Sequence, residues 1–370
     1  EWVLRAGGVR IGPATDLREL PADLARARGV IDVEAFLSPS VSRDMEAVAD
    51  LGGLDEAADR LAAAILGGER VALFGDYDVD GATSVAIMAR QLRAHGLEIE
   101  FHVPDRIEEG YGANADSLGD MASRCTLVVV LDSGTNAPEA IRAARDRGAD
   151  VIVVDHHLQA DGLPDATIVN PNLERETGAC GYMCTAGLAF ALALWLDRAV
   201  ERRGGRSVGV ERQLLGLAAL GTVADVMPLV GLNRSIVAEG VACLGSNPGV
   251  AALAVKRGVE EPYTAGKCGF QIGPCLNAGG RIGDAKMSAA LLMSDDPEEV
   301  EAAAARLSHL NDERKRIERL ALREASDMIE AGACGENVAV IHHPAWHPGI
   351  VGLVASRIKE RFDVSAVVVG

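Results

Sequence analysis

Short apolar runs alternate with helical patterns between residues 71 and 171. The run 71–74 is apolar at every position and predicts a buried strand, and the segment 82–95 then has apolar residues at helical spacing. Residues 99–103 alternate and predict a half-exposed strand. Further along, the pattern predicts a buried strand at 127–131, a helix at 137–147 and a strand at 151–154. This β-α-β-β-α-β succession predicts an α/β fold, with a mostly parallel sheet and flanking helices.

The chain becomes mainly helical after residue 184. Helical patterns cover 185–200, 212–220 and 233–244. A charged, alanine-rich pattern over 297–331 would form a helix ~52 Å long at 1.5 Å per residue. Such a helix is either a coiled-coil arm or a connection that ties two domains together, and we favour the connection. A strand, a helix and a strand follow at 337–341, 349–361 and 364–369.

The length of the chain suggests more than one core, because 370 residues exceed the usual size of a single domain. We predict an N-terminal extension, a main α/β domain with a helical part, a long connecting helix and the incomplete beginning of a second α/β domain. Their boundaries are 1–45, 46–296, 297–335 and 336–370. The chain starts without methionine and stops inside an apolar run, so we expect a piece of a longer protein that is truncated at its C-terminus.

Composition and charge narrow the class of protein. Hydrophobic residues make up 48% and charged residues 24% of the chain, as in a folded soluble protein, and no apolar run approaches the ~18 to 20 residues that span a bilayer. We therefore predict a cytoplasmic protein without a membrane partner. The net charge of -18 argues against coating nucleic acid by bulk electrostatics, although a local basic groove is compatible with it. Seven scattered cysteines without a CxxC pair predict reduced thiols.

Carboxylates and imidazoles follow the predicted strands at the points where those strands end. Three aspartates alternate after the first strand, single acidic positions follow two others, two histidines come next, and a last aspartate ends a predicted helix. In chain order these residues are Asp76, Asp78, Asp80, Asp132, Asp155, His156, His157 and Asp225. Because parallel strands end along one edge of a sheet, we expect these side chains to lie close together.

Each of these residues also has an ordinary explanation when taken alone. An aspartate after a strand is often a helix N-cap, and a histidine there is often a hydrogen-bonded loop residue. Together, however, closely spaced carboxylates repel one another unless cations lie among them. Oxygen and imidazole ligands without a thiol favour Mn²⁺ or Mg²⁺ over Zn²⁺. With up to six ligands, two ions fit better than one, and two ions suit hydrolysis at phosphorus.

The motifs resemble those of a known family. The strings "DYDVDG", "VVVLDSGT", "VDHH" and "GTVADVMPL" occur in the order of the four motifs of the DHH phosphoesterases. The strings "PDRIEEGYG", "IGPCLNAGGRIGDA" and "WHPGIVGLVASRIKE", at 104–112, 272–285 and 346–360, are similar to the RecJ branch of that superfamily. This branch consists of single-strand-specific 5′ to 3′ exonucleases, and the resemblance extends from about residue 24 onward.

The resemblance implies a two-metal site with Mn²⁺ or Mg²⁺. The implied ligands are Asp78, Asp80, Asp132, His156 and Asp225, with Asp132 shared by both ions. Asp76 is a weaker candidate ligand, for which a structural role in the glycine-containing loop is the alternative. His157 would face the scissile phosphate and either donate to a non-bridging oxygen or protonate the leaving 3′ oxygen. Its alternative role is to orient the metal ligands.

The resemblance also implies substrate-binding residues. Asn277 and Arg281 lie among glycines and would contact phosphate or the strand, with a helix-capping turn as the alternative reading of their segment. Arg106 and Tyr111 could meet the 5′ end and stack on a base, or belong to a purely structural loop. His347 precedes a predicted helix whose N-terminus could hold an anion.

Two features depart from the RecJ pattern. Cys275 occupies a position where many RecJ-like sequences have arginine, which puts a contact there in doubt. The glycine-rich, arginine-bearing substrate motif and the OB-like module of such proteins are not reached by residue 370.

The implied function is that of a two-metal exonuclease. It would remove 5′-mononucleotides from single-stranded DNA in recombination and repair, with a helicase and a single-strand-binding protein as partners. One alternative is another DHH phosphoesterase, which acts on short oligonucleotides, cyclic dinucleotides or polyphosphate. A second alternative is a catalytically inactive, nucleic-acid-binding relative.

Overall fold

The protein is represented by a computed structural model, which describes residues 2–3, 10–11, 20–160, 162–176, 178, 180–333 and 337–370. Residues 1, 4–9 and 12–19 of the predicted N-terminal extension therefore lie outside the described residues, as does Cys334. Two short strands, β1 (Trp2–Val3) and β2 (Arg10–Ile11), pair antiparallel near the start of the chain. Three short helices follow, α1 (Leu20–Ala27), α2 (Val33–Leu37) and α3 (Val41–Asp44).

A five-stranded parallel sheet forms the centre of the main α/β unit. Its strands are β3 (Val71–Gly75), β4 (Ile99–His102), β5 (Leu127–Leu131), β6 (Asp150–Val154) and β7 (Thr167–Val169), in the spatial order β4-β3-β5-β6-β7. The central strands β3 and β5 are buried at every position, whereas the edge strand β4 is only partly buried. This arrangement confirms the predicted α/β fold with a mostly parallel sheet.

Helices cover both faces of the sheet. These are α4 (Leu54–Gly67), α5 (Val79–Ala94) and α8 (Thr185–Arg202) on one face, and α6 (Ala115–Ala122) and α7 (Pro138–Arg145) on the other. Successive residues of β5 point to opposite faces, so Val129 packs in the first of these cores and Val128 in the second. The sequence patterns missed α6 and the three-residue strand β7, while the other strands of this sheet were predicted.

The helical part that follows packs on the same core. Its helices are α9 (Arg212–Ala224), α10 (Gly231–Gly240), α11 (Pro248–Arg257), α12 (Ala265–Lys267), α13 (Gly273–Ile282) and α14 (Lys286–Met293). Among the described residues no single helix is long and apolar enough to cross a membrane. One bent pair of helical segments, 231–246 and 248–257, reaches that length and composition only when the two are taken together.

The six described cysteines are buried free thiols.

The long helix α15 (Pro297–Met328) packs against two separate hydrophobic cores. Asp296 caps its N-terminus by accepting from the N–H groups of Glu298 and Glu299. Leu307 in its first half is buried in the main core, and Ala325 in its second half is buried in a smaller core. This smaller core also includes α16 (Pro348–Phe362) and the parallel strands β8 (Val338–His342) and β9 (Ser365–Val369). This packing favours a connecting helix over a coiled-coil arm; the predicted domain boundaries stay a prediction.

Most of the segment 272–285, for which the sequence patterns predict no secondary structure, forms helix α13. Its glycines serve close helix packing. A Cβ atom at Gly280 would lie 2.6 Å from the backbone oxygen of Tyr77, so only glycine allows α13 to approach the turn between β3 and α5.

Candidate metal centre

Three central strands of the sheet end in register. Gly75 of β3 pairs with Leu131 of β5, and Leu131 pairs with Val154 of β6. The next residue after each strand is an aspartate, so the side chains of Asp76, Asp132 and Asp155 start from the same edge of the sheet. The predicted clustering of acidic residues at this edge follows from that register.

In the turn after β3, Asp78 caps a helix and Asp80 accepts hydrogen bonds from the start of another helix. Asp78 is the N-cap of α5, and its Oδ1 accepts from the N–H of Gly81 at 3.0 Å. A Cβ atom at Gly81 would lie 2.4 Å from the backbone oxygen of Asp76, so glycine is needed for this tight turn. Asp80 is buried in the first turn of α5. Its two carboxylate oxygens accept from the N–H groups of Thr185 and Ala186 at the start of α8, each at 2.8 Å.

Asp132 lies at the centre of the site. It is 2% exposed and adopts a left-handed backbone conformation with φ 61°. Aspartate tolerates this conformation better than most residues, and strained backbone of this kind is typical of functional sites. Its Oδ1 accepts from the Thr185 hydroxyl at 3.0 Å and lies 3.4 Å from His156 Nε2.

The His156 ring is surrounded by three carboxylates. Its Nε2 is 3.4 Å from Asp132, 3.7 Å from Asp225 and 3.8 Å from Asp80. These distances are longer than hydrogen bonds, although one ion could contact several of these groups. Three sets of three residues can each offer ligand atoms to one ion, because the ligand atoms within a set lie within 4.8 Å of one another. The sets are Asp132–His156–His157, Asp80–His156–Asp225 and Asp76–Asp78–Asp132. The sets share Asp132 and His156, so the structure brings all the predicted metal ligands together.

The electrostatics of these carboxylates favour bound cations. Burial and the neighbouring Asp78 raise the pKa of Asp76 to about 7, and burial together with Asp80 raises the pKa of Asp225 to about 7. Burial and the adjacent aspartates raise the pKa of Asp132 well above its usual range. Asp76 Oδ1 and Asp225 Oδ2 are buried without a hydrogen-bond partner in the described part of the chain. A divalent cation would supply both the missing partner and the missing positive charge.

Asp155 belongs to none of the three sets of ligand atoms, but it forms hydrogen bonds with both histidines. Its Oδ1 accepts from the N–H of His156 at 2.8 Å and from His157 Nδ1 at 2.7 Å. Burial alone would raise the pKa of Asp155, but its hydrogen bonds with His157 and Thr135 outweigh that effect and hold it at about 2. The same hydrogen bond raises the pKa of His157. The sequence gives Asp155 no specific role, although it directly follows a predicted strand and is the aspartate of the string "VDHH".

The other ring nitrogen of His157 contacts a predicted substrate residue. His157 Nε2 lies 2.9 Å from the hydroxyl oxygen of Tyr111, a residue that is 62% exposed. Tyr111 also meets Tyr77 edge-on, with ring centroids 6.2 Å apart. The structure thus places Tyr111 beside His157, at the edge of the candidate metal centre.

Three other predicted substrate residues line a neighbouring cavity of about 160 Å³: Arg106, Arg281 and His347. The Arg106 guanidinium lies 5.3 Å from the ring centre of Tyr77. Burial and the nearby Arg106 lower the pKa of Arg281, whose guanidinium also donates to the backbone oxygen of Gly349 at 3.3 Å. His347 caps α16 by accepting from the N–H of Gly349. Two cationic side chains therefore meet at this cavity.

Asn277 lies apart from that cavity. Its side-chain oxygen accepts from the N–H of Val79 at 3.2 Å, which links α13 to the first turn of α5. The contact supports the turn that carries Asp78 and Asp80. Contact between Asn277 and a substrate stays a prediction.

Val226, directly after Asp225, has an unfavourable backbone conformation. Its φ is 58°, and it ends α9 with the hydrogen bonds of a Schellman motif, from Val226 N to Val223 O and from Met227 N to Thr222 O. Glycine is usual at this position because a β-branched residue is strained there. The Val226 side chain is 86% exposed and gains little from packing.

We expect Val226→Gly to stabilise the protein by about 1 kcal/mol, since the strain is relieved and little packing is lost. Urea denaturation without metal would measure the free energy of unfolding. Val255→Gly is the matched control, because Val255 is also largely exposed, at 78%, but lies inside helix α11. That change should lower stability by a few tenths of a kcal/mol. A Val226→Gly variant less stable than the parent would show that the left-handed backbone is not strained.

Comparisons with known proteins agree with this geometry. The model of the DHH family, N-terminal domain, matches residues 70–222. The chain is 37% identical to the single-stranded-DNA-specific exonuclease RecJ of Salmonella typhimurium over 94% of its length, and 37% identical to that of Escherichia coli over 93%. It spans 64% and 63% of those two proteins. A crystal structure of exonuclease RecJ bound to manganese superposes with a TM-score of 0.77 at 35% identity, covering 86% of this chain and 80% of that one.

A parallel sheet with aspartates and histidines gathered at its carboxyl edge, matched by the DHH family model, defines a DHH-type domain. Within that class, the similarity continues over the helical part and into the unit after α15. The chain belongs to the RecJ family.

Proposed function

We propose that this chain contains the catalytic part of a two-metal exonuclease, which hydrolyses single-stranded DNA from its 5′ end to mononucleotides. The observation that carries the proposal is the group of three ligand sets that share Asp132 and His156 at one edge of the sheet. The names of the relatives, single-stranded-DNA-specific exonucleases, support the substrate.

The residues fit Mn²⁺ or Mg²⁺. Asp76, Asp78 and Asp132 would hold one ion, and Asp80, His156 and Asp225 would hold the other, with Asp132 also within reach of His156. Carboxylate oxygens and one imidazole are ligands that these ions accept, and two buried carboxylate oxygens lack any other partner in the described structure. When bound, the two cations would polarise the scissile phosphate and provide hydroxide at neutral pH.

His157 would hold and deliver a proton at the scissile phosphate. Asp155 fixes its Nδ1 and raises its pKa, so the imidazolium form is favoured and Nε2 can donate. Nε2 faces the open side, where Tyr111 is exposed. A donor at this position could stabilise a non-bridging oxygen or protonate the leaving 3′ oxygen.

The cavity next to the metal centre suits the 5′ end of the strand. Arg106 and Arg281 provide two positive charges beside it, which favour a terminal phosphate. Tyr111 is exposed beside His157 and would stack on the first base. Recognition would then depend on the backbone and on stacking, without reading base identity.

Substrate preference tests this proposal against its two alternatives. The chain would be incubated in Mn²⁺ with 5′-labelled single-stranded DNA, duplex DNA and a cyclic dinucleotide. We expect labelled mononucleotide from the single strand and little product from the others. Cleavage of the dinucleotide alone would indicate another DHH phosphoesterase, and binding of single strands without any cleavage would indicate an inactive relative.

The biological setting of the proposal is recombination and repair in the cytoplasm. Its proposed partners are a helicase that opens duplex ends, because the proposed site takes single strands, and a single-strand-binding protein. Stimulation of duplex degradation by an added helicase would support this part of the proposal.

A further inference from the structure

The loop 103–114 connects β4 to α6 and carries Arg106 and Tyr111. Its tip is exposed, with Ile107 at 59%, so apolar packing does little to hold it. Within the tip, the backbone oxygen of Asp105 accepts from the N–H groups of Glu109 and Gly110. This turn gives the tip a shape, but it does not attach the tip to the body of the protein.

The carboxylate of Glu109 links the tip to both ends of the loop. Oε1 accepts from the N–H of Asp105 at 2.9 Å, and Oε2 accepts from His102 Nε2 at 2.8 Å, from the Ser117 hydroxyl at 2.6 Å and from Asn114 Nδ2 at 3.3 Å. The donors belong to the end of β4, the loop itself, the N-cap of α6 and its first turn. One side chain therefore joins both ends of the loop to its middle.

These hydrogen bonds keep Glu109 ionised. Partial burial would raise its pKa, but Ser117, the Asp105 N–H and His102 outweigh this effect and hold the pKa at about 2. Hydrogen bonds to a charged acceptor are stronger than those between neutral groups. The carboxylate is thus the main polar support of the loop at any pH near neutrality.

Glu109 is separate from the metal centre, but the loop it holds is not. Tyr111 lies 2.9 Å from His157, and Arg106 lies over Tyr77, which belongs to the turn with Asp76 and Asp78. We propose that Glu109 is a positioning residue that fixes loop 103–114 so that Arg106 and Tyr111 grip the 5′ end of the strand. This inference rests on the function proposed above and adds a residue that controls substrate affinity.

We expect Glu109→Gln to raise the KM for a 5′-phosphorylated single-stranded oligonucleotide about tenfold, because an amide accepts with one end only and leaves donors of this network unpaired. The kcat should stay within about threefold of the parent value. Mn²⁺ affinity and hydrolysis of bis(p-nitrophenyl) phosphate, which is too short to need the loop, should be unchanged. A KM like that of the parent would overturn the proposal, as would a loss of Mn²⁺ binding.

Glu108→Gln is the matched control. Glu108 is the adjacent glutamate, it is exposed, and its carboxylate makes no hydrogen bond to the residues that the structure describes. This variant removes the same charge from the same loop, so its KM should equal that of the parent. A similar rise in both variants would assign the effect to charge alone and contradict positioning by Glu109.

Hydrogen exchange without substrate separates this inference from the proposed function. Backbone amides at 105–110 should exchange faster in Glu109→Gln than in Glu108→Gln or the parent chain. If the parent does not degrade single-stranded DNA, the proposed function fails, while the exchange rates still test whether Glu109 holds the loop. Unchanged exchange would refute that role directly.

Discussion

Asp132→Asn should abolish turnover even in excess Mn²⁺. Asp132 belongs to two of the three sets of ligand atoms and lies 3.4 Å from His156, which belongs to the third. One substitution therefore weakens every part of the proposed two-metal site, and added metal cannot restore a ligand that both ions require. We expect kcat/KM on single-stranded DNA to fall by at least about a thousandfold across a Mn²⁺ titration.

Asparagine is the informative substitution at this position. It tolerates the left-handed backbone and keeps an oxygen for the Thr185 hydroxyl, whereas alanine would add backbone strain. Burial and the neighbouring aspartates raise the pKa of Asp132, so its charged form destabilises the metal-free fold at neutral pH. Asp132→Asn should therefore be at least as stable as the parent without metal while being inactive with it.

Thermal denaturation in chelator and activity in Mn²⁺ measure these opposite effects. Asp146→Ala, at the exposed far end of α7, is a control that should change neither. Near-normal activity of Asp132→Asn would show that the site does not depend on a shared carboxylate. A large loss of metal-free stability would instead assign Asp132 a structural role.

The clustering of the candidate metal ligands could be predicted because it follows from topology. Apolar runs locate β3, β5 and β6, and parallel strands must end at one edge, so Asp76, Asp132 and His156 had to be neighbours. Asp225 was harder to place from local pattern alone, because it reaches the site from the end of a helix. Its assignment depended on the order of the family motifs.

Other features depended on contacts that no local pattern shows. Helix α6 has only a short apolar face, and the strand β7 has three residues, so neither gives a strong periodic signal. The glycines of α13 suggested a close approach of the backbone to a ligand, but Gly280 allows the helix to approach Tyr77. The roles of Asp155 and Glu109 are set by side-chain hydrogen bonds, such as those from Thr135 to Asp155 and between His102 and Glu109, which no apolar pattern indicates.

His157→Ala should slow the reaction while leaving metal binding largely intact. Asp155 holds the His157 ring by a hydrogen bond to Nδ1, and Nε2 contacts the Tyr111 hydroxyl. This orientation suits a proton donor that faces the substrate. Loss of a positioned proton donor costs about 10² to 10⁴ in rate, so kcat should fall by that amount. Single-turnover cleavage of labelled single-stranded DNA would measure the chemical step.

The competing role for His157 is direct metal ligation, because its ring also lies within 4.8 Å of ligand atoms of Asp132 and His156. Calorimetric titration with Mn²⁺ separates the two roles, since a ligand variant should lose binding of one ion and a proton-donor variant should bind both. His309→Ala, which removes an exposed imidazole from α15, is the control for loss of a surface histidine. Because Asp155 holds the ring from the side opposite Nε2, Asp155→Asn should show a smaller loss of kcat with the same metal stoichiometry. A lost metal signal in His157→Ala would place this histidine among the ligands and leave the proton to another group.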